Sequence, residues 1–148
     1  MLAAMIDCAL CATSGGDMLW QDETCGVVVV GGDEGRDFPG FCRVIWRAHV
    51  AEMSELAASE RRHLMNVVLA CELAVREVMQ PDKINLASLG NVVPHLHWHV
   101  IPRWRDDSRF PAPAWNPAAR PGAVPPAPTI DVLRVAFTRA MAELQAES

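Results

Sequence analysis

The order of apolar and polar residues predicts a chain of short strands in its first third. Residues 17–22 form a candidate strand, and four consecutive valines flanked by glycines in 25–31 indicate a buried one. The charged, glycine-rich segment 33–40, which contains Pro39, predicts a loop. A strand pattern resumes over residues 41–47.

A long helix is predicted next. From Ser59 to about Met79, apolar residues recur at spacings of three and four, which gives one apolar helical face. Ser59 is the candidate N-cap, and Glu60 suits the first turn of a helix. Pro81 ends the helix because it has no N–H to donate.

The second half predicts two more strands and a last helix. Residues 83–88 form one strand, Gly90-Asn91 a turn, and residues 92–101 a strong strand. Seven of the eleven prolines fall in 110–128, which we expect to be an extended segment on the surface. Thr129 caps a final helix that runs to about Leu144. These elements predict an α+β domain with an antiparallel sheet.

Composition and charge narrow the class of protein. A length of 148 residues predicts one domain, 1–148, and 51% hydrophobic with 21% charged residues is typical of a folded protein. The net charge of −5 disfavours binding to duplex nucleic acid.

No run is long and apolar enough for a membrane span. Met1–Leu10 is interrupted by Asp7 and lacks a positive start, so no signal peptide is expected. Five cysteines without a secretion signal favour the cytoplasm over a disulfide framework.

Three of the five histidines alternate with apolar residues in one short stretch. His95, His97 and His99 would share one face of a strand, with same-face neighbours about 6.5–7 Å apart. A strand would hold these imidazoles rigidly in place, and catalysis requires rigid placement of this kind. Two alternatives stay open. The histidines could be polar residues on a solvated face, or ligands of a zinc, copper or iron centre.

The run His-Leu-His-Trp-His-Val-Ile at 95–101 resembles the signature of the histidine triad (HIT) family. The continuation Pro102-Arg103 is similar to the branch that includes dinucleoside polyphosphate hydrolases. The resemblance covers roughly residues 8–115. It also includes four features before the signature: the segment Arg47-Ala48-His49-Val50, the long helix, Asn85 and Gly90-Asn91.

The resemblance implies a HIT-like fold, in which about five antiparallel strands pack with one long helix and a C-terminal helix. It implies that His97 attacks the α-phosphorus of an adenine-type nucleotide, such as a dinucleoside polyphosphate or a nucleoside phosphoramidate. Water would then hydrolyse the covalent nucleotidyl-histidine. A backbone carbonyl of the same strand would fix the tautomer of His97. His99 would contact the phosphate and protonate the leaving group.

The same resemblance suggests the substrate contacts. Asn85 would lie near the scissile phosphate, and the turn Gly90-Asn91-Val92 would offer backbone N–H groups to its oxygens. The family often has glutamine where this chain has Asn91. Arg103 is either a phosphate contact or a solvated surface arginine. A homodimer is expected on resemblance alone, with no organic cofactor.

Cys8 and Cys11 form a C-x-x-C pair, which alone is a weak signal. HIT proteins with this pair resemble a zinc-bearing subset, in which a histidine before the long helix and the first triad histidine complete the site. The corresponding positions are His49 and His95. Two thiolates and two imidazoles would close a structural zinc site. The alternative is a pair of reduced, metal-free cysteines.

Other polar and aromatic residues are interpreted as structural. Surface positions are expected for His63 on the long helix and for Asp106 and Asp107 beside arginines. Packing is expected for four tryptophans: Trp46, Trp98, Trp104 and Trp115. One of the last two could instead stack on a base or contact a partner subunit. Two other functions stay open, a metal-dependent enzyme and a nucleotide-binding regulatory protein with little turnover.

Overall fold

Five strands form one antiparallel sheet in the computed structural model, which describes residues 7–12 and 15–147. The strands are β1 (Gly16–Gln21), β2 (Cys25–Val30), β3 (Cys42–Trp46), β4 (Lys83–Ala87) and β5 (His97–Arg103). Their order in the sheet is β1-β2-β3-β5-β4. The last strand is therefore inserted between β3 and β4, where both of its edges are paired. The expected α+β class with a five-stranded antiparallel sheet is confirmed.

Four helices accompany the sheet within the described residues. They are α1 (Ala9–Ala12), α2 (Gly32–Asp37), α3 (Ala58–Met79) and α4 (Ile130–Ala146), and a 3-10 turn covers Met53–Glu55. The long helices α3 and α4 pack against each other and cover one face of the sheet. The two predicted helices are therefore confirmed.

The core lies between that face and the two long helices. Val27, Val44 and Val100, one from each of the three central strands, are completely buried there against Val67 and Phe137 of the helices. Full burial of such a side chain stabilises the fold by about 1.5–3 kcal/mol. Because side chains alternate along a strand, the residues directly before and after each of these valines point to the opposite face of the sheet. That face carries the candidate site.

Two local predictions need correction. Residues 32–37 form a short helix instead of the predicted loop, and Asp33 and Glu34 lie in its first turn, where a helix dipole favours negative charge. Ser59 is not the N-cap of α3, because the helix already begins at Ala58. The Glu60 carboxylate there accepts a hydrogen bond from the Ala57 amide at 2.7 Å. Thr129 does cap α4.

The histidine strand also begins later than predicted. β5 starts at His97, whereas residues 91–96 follow a bent path. Pro94 has no N–H for a strand ladder, and the His95 amide donates at 2.8 Å to the carbonyl of Val93. The prediction that all three histidines share one strand face is therefore wrong, because His95 lies before the strand.

The proline-rich segment has no helix or strand between Arg103 and Ile130, as expected. No helix within residues 7–12 and 15–147 has the length and apolar character to cross a membrane. The expectation about a signal peptide concerns Met1–Leu10, and residues 1–6 of that stretch lie outside the described part.

Candidate active site and metal centre

A cavity of about 490 Å³ lies on the face of the sheet away from α3 and α4. Its floor is built by Arg43 of β3 and by His97 and His99 of β5. The loop 89–93 and Trp115 of the proline-rich segment form its walls. The volume is in the range of pockets that hold a small ligand.

His97 presents one ring nitrogen to this cavity without a proton. Its Nδ1 donates to the carbonyl oxygen of His95 at 2.5 Å, which assigns the tautomer and leaves Nε2 as the lone-pair nitrogen. Burial lowers the pKa of His97, and this effect outweighs the hydrogen bond to His95. A neutral imidazole with a fixed tautomer is a nitrogen nucleophile. The acceptor is a backbone carbonyl, but it belongs to His95, which precedes β5, and not to the same strand as was predicted.

His99 is the second imidazole of the cavity. Its ring centroid lies 4.9 Å from that of His97 and 4.9 Å from that of Trp115. Burial, together with the nearby His97 and Arg43, lowers the pKa of His99 to about 4. Its Nδ1 is buried and has no hydrogen-bond partner among the described residues. In the free site His99 is therefore neutral near pH 7.

The turn before β5 lines the same cavity as the two histidines. Gly90, Asn91 and Val92 all line the cavity, and Gly90 has a positive φ of 69°, a conformation that favours glycine. Ser88 fixes the turn, since its hydroxyl donates to the carbonyl of His97 at 2.8 Å. The structure thus brings five of the sequence-predicted residues together around one cavity.

Asn85 and Arg103 do not line this cavity. Arg103 Nη1 donates to Asn85 Oδ1 at 2.9 Å, and its Nε donates to Asp107 Oδ2 at 2.9 Å. Only 2% of Arg103 and none of Asp107 is exposed to solvent. The solvated alternative for Arg103 is therefore wrong, and so is the surface position expected for Asp107. Asp106 is exposed as expected.

Asp107 organises the loop that follows β5. Its carboxylate accepts hydrogen bonds from the backbone amides of Trp104, Arg109 and Phe110 at 2.7–3.1 Å. Burial raises the pKa of Asp107, but the Arg103 guanidinium and these amides more than compensate and lower it. The ordered loop leads to Trp115, which is 46% exposed and lies against His99. The simple packing role expected for Trp115 is therefore wrong, whereas Trp104 does pack against the core.

A second cluster joins the four residues expected to hold zinc. Cys8 Sγ lies 3.5 Å from His95 Nδ1, and Cys11 Sγ lies 3.4 Å from the same nitrogen. His49 Nδ1 is 3.3 Å from Cys11 Sγ and 3.3 Å from His95 Nδ1. Tetrahedral zinc with Zn–N near 2.0–2.1 Å and Zn–S near 2.3 Å has ligand–ligand distances of about 3.3–3.8 Å.

The hydrogen bonding of His95 also suits a metal. Its Nε2 donates to the carbonyl oxygen of Trp46 at 2.5 Å, so Nδ1 carries the lone pair that faces the cysteines. The residues present therefore fit a zinc ion. Because His95 Nδ1 belongs to this cluster, the structure does not group the three triad histidines around one ion.

A further group of possible ligands is better explained as a hydrogen-bonded pair. His63 Nε2 donates at 2.6 Å to Asp22, close to the thiol of Cys25. Burial is the main cause that raises the pKa of Cys25 to about 12, so its thiol stays protonated and is a poor ligand. The pKa of Asp22 is about 2, because backbone hydrogen bonds from Cys25 and Thr24 outweigh its burial. His63 is thus half-buried and paired, in contrast to its expected surface position.

Sequence reasoning missed Arg43 as a residue of the site. It occupies the outward position in a strand whose neighbours Cys42 and Val44 are buried in the core. That alternation is visible in the sequence. The position of Arg43 beside the histidines is not visible there, because it depends on the pairing of β5 with β3.

The matched family and the sequence relatives agree with this architecture. The profile of the HIT domain matches residues 23–106. An alignment 78 residues long, which covers 49% of this chain, shows 30% identity to the AP-4-A phosphorylase of Mycobacterium tuberculosis. The matched segment covers 40% of that protein, so the chain spans less than half of this relative.

Solved structures share the fold over nearly the whole chain. A histidine triad protein from Bradyrhizobium japonicum superimposes with a TM-score of 0.65 at 25% identity, over 84% of this chain and 91% of its own. A zinc-bound histidine triad family protein from Mycobacterium smegmatis has a TM-score of 0.56 at 20% identity, over 97% and 99% of the two chains. At that identity the second likeness concerns the fold alone.

Proposed function

The chain belongs to the HIT family, and on that premise we propose that it is a nucleotide hydrolase or nucleotidyl transferase. The reaction cleaves an adenine-type nucleotide at its α-phosphate, through a covalent nucleotidyl-His97 intermediate. The observation that carries the proposal is the tautomer of His97. Its Nδ1–H is held by the His95 carbonyl at 2.5 Å, so the lone pair of Nε2 is available in a cavity shared with His99.

The proposed chemistry has two steps. In the first, Nε2 of His97 attacks the α-phosphorus, a P–N bond forms and the bond from phosphorus to the leaving group breaks. Protonated His99 gives its proton to the leaving group. In the second, water attacks the phosphorus, the P–N bond breaks and His99 takes the proton from water. His99 is neutral in the free site, but the negative charge of a bound phosphate raises its pKa and favours the protonated form.

The remaining sequence-predicted residues receive two kinds of role. We assign the backbone N–H groups of Gly90, Asn91 and Val92 to the phosphate oxygens, because this turn lines the cavity. We assign Asn85 and Arg103 to positioning, since they bond to each other and hold Asp107. They act through the loop that carries Trp115.

The substrate class is a dinucleoside polyphosphate or a nucleoside phosphoramidate. The relative named AP-4-A phosphorylase favours the first, and it introduces inorganic phosphate as an alternative to water in the second step. Phosphate would then release a nucleoside diphosphate in place of the monophosphate. The chain itself supplies the nucleophile in either case.

We also propose that Cys8, Cys11, His49 and His95 hold a structural zinc ion. The distances among their ligand atoms support it, as does the zinc-bound neighbour of the same fold. Such an ion supplies a cross-link and no redox chemistry. It would tie α1 to the segment that enters β5, whose His95 carbonyl orients His97.

A direct assay tests the nucleophile. Purified protein is incubated with diadenosine tetraphosphate and with adenosine phosphoramidate, and AMP release is followed for the wild type and for His97→Asn. We expect the substitution to lower kcat by more than about a thousandfold, because asparagine cannot replace the attacking nitrogen of His97. His63→Asn, which removes a histidine outside the cavity, is the control. Full activity of His97→Asn would refute the mechanism, and tight nucleotide binding without turnover would favour a regulatory protein.

On resemblance alone, we propose a homodimer. Light scattering after size exclusion distinguishes it from a monomer by the mass of two chains against one. A monomer that retains full activity would contradict it.

A further inference from the structure

Arg43 is a cation in the cavity floor that the proposed mechanism does not use. It lies directly opposite His99 in the β3–β5 pairing, so the two side chains share one face of the sheet. Both side chains line the same cavity. Directly opposite residues in an antiparallel pair have Cβ atoms only about 4.5–5.5 Å apart. The guanidinium therefore belongs to the His99 end of the site.

The charge of Arg43 is not balanced within the described part of the chain. Its Nε is buried and has no hydrogen-bond partner there, and no ion pair forms between Arg43 and a carboxylate of residues 7–12 or 15–147. The charge that acts on it is Glu34, an exposed residue of α2. Five other arginines do form ion pairs with carboxylates: Arg36, Arg103, Arg109, Arg134 and Arg139.

An arginine in this environment costs stability. Burial lowers the pKa of Arg43, which means that the charged form is penalised in the free protein. A buried donor without a partner is also unfavourable. Gly15 lies beside the guanidinium, since a Cβ added at that position would lie 3.0 Å from Arg43 Nη1. An anionic ligand would remove both costs.

We propose that Arg43 binds a phosphate group of the reaction other than the α-phosphate that His97 attacks. This inference rests on the proposed function, in which His99 protonates the leaving group. The leaving group therefore lies at the His99 end of the cavity, which is where Arg43 is. A guanidinium there forms charge-assisted hydrogen bonds with phosphate oxygens.

Two sources of that phosphate share this chemistry. One is the polyphosphate chain of the leaving nucleotide, which gains negative charge as its bond to the α-phosphorus breaks and is stabilised by a nearby cation. The other is inorganic phosphate that replaces water in the second step. In both cases Arg43 makes the site specific for anionic partners over neutral ones, such as the amine of a phosphoramidate.

The test compares two substrates that share the adenylyl half. Diadenosine tetraphosphate has an anionic leaving group, and adenosine phosphoramidate has a neutral one. We expect Arg43→Met to lower kcat/KM for the first by about 10- to 100-fold, the loss typical of a hydrogen bond to a charged group. The phosphoramidate should change by less than about threefold, because it makes no contact with Arg43. Arg43→Lys, which keeps the charge without the planar fork, should recover part of the loss.

Assays with and without inorganic phosphate separate the two sources. A loss in AMP release without phosphate assigns Arg43 to the leaving chain, whereas a loss confined to phosphate-dependent ADP release assigns it to the acceptor. Either result supports the proposal. Equal losses of AMP release from both substrates without phosphate, or no loss of either AMP or ADP release, would overturn it. Arg36→Met removes the same charge from the surface of α2 and should leave both rates unchanged.

A binding measurement keeps this inference separate from the proposed function. In the His97→Asn background, calorimetry compares the affinities of ATP and AMP with and without Arg43→Met. The substitution should weaken ATP by about tenfold and leave AMP within about twofold. Equal weakening of the two nucleotides would contradict the role of Arg43, even if His97 proved dispensable. If His97 were not the nucleophile, only the AMP-release assay would show it, because the binding measurement does not depend on turnover.

Discussion

At the scale of single residues, the cavity combines two neutral imidazoles with a cation. Burial disfavours the charged form of His97 and His99, and Arg43 acts in the same direction on both. An electropositive site of this kind attracts phosphate oxygens and keeps the lone pair of His97 free. The anionic substrate proposed above would offset this field at His99. On that proposal, the protonation state of His99 depends on what occupies the cavity.

The titration of His99 tests that dependence. In NMR titrations of the free protein, the His99 ring should titrate near pH 4. Saturation with AMP should raise the midpoint, because the bound phosphate offsets the field of Arg43. The signal is assigned by its disappearance in His99→Gln. A midpoint between 6 and 7 in the free protein, near the usual value of histidine, would contradict this account.

The lowered pKa of His99 also makes the stability of the fold depend on pH. The folded-state pKa of His99 is depressed, so the unfolded chain binds a proton at higher pH than the folded chain does. The contribution of neutral His99 to folding is therefore fully present above about pH 6.5 and is lost as pH falls towards 4.

At the scale of elements, the histidine strand and the loop after it behave as one unit. β5 is paired on both sides, and the buried Arg103 at its end holds the loop through Asp107. Apolar alternation was enough to predict the strands. It was not enough to predict where β5 begins, because Pro94 and the bond from His95 to Val93 interrupt the pattern locally. It also missed α2, whose glycines and charges resemble those of a loop.

Loss of the Asp107 carboxylate should loosen this loop. We expect Asp107→Asn to lower the free energy of unfolding by about 3–5 kcal/mol, because the buried Arg103 guanidinium then lacks its counter-charge. Urea unfolding measures the change. The neighbouring Asp106 is exposed, so Asp106→Asn is the matched control and should change stability by less than about 0.5 kcal/mol. Similar losses in both variants would show that the buried ion pair is not what holds the loop.

At the scale of the whole molecule, the predictable part of the site is the part that is close in sequence. The turn at Gly90 and the pair His97 and His99 lie within ten residues, and local pattern together with resemblance located them. Contacts between distant segments were not predictable in this way. Arg43 reaches the site only because β5 inserts beside β3, and Trp115 only because its loop folds back. Asp107 looked solvated because the sequence alone does not reveal that Arg103 is buried beside it.

The proposed zinc cluster joins segments that are far apart in the sequence, because Cys8 and Cys11 contact residues 38–87 positions away. The purified full chain should contain about one zinc per molecule by elemental analysis if this four-ligand site is occupied. Replacing both cysteines by serine should remove the metal and lower Tm by roughly 10 °C, since an ion that binds the folded state adds several kcal/mol of stability. Cys25→Ala, which removes a buried thiol outside the cluster, should retain the zinc. A chain that contains no zinc after growth with added zinc would refute the site.

Activity towards nucleotides should survive mild chelation at low temperature, because the nucleophile needs no metal. Loss of turnover after chelation, with the fold intact, would show that the metal takes part in the reaction.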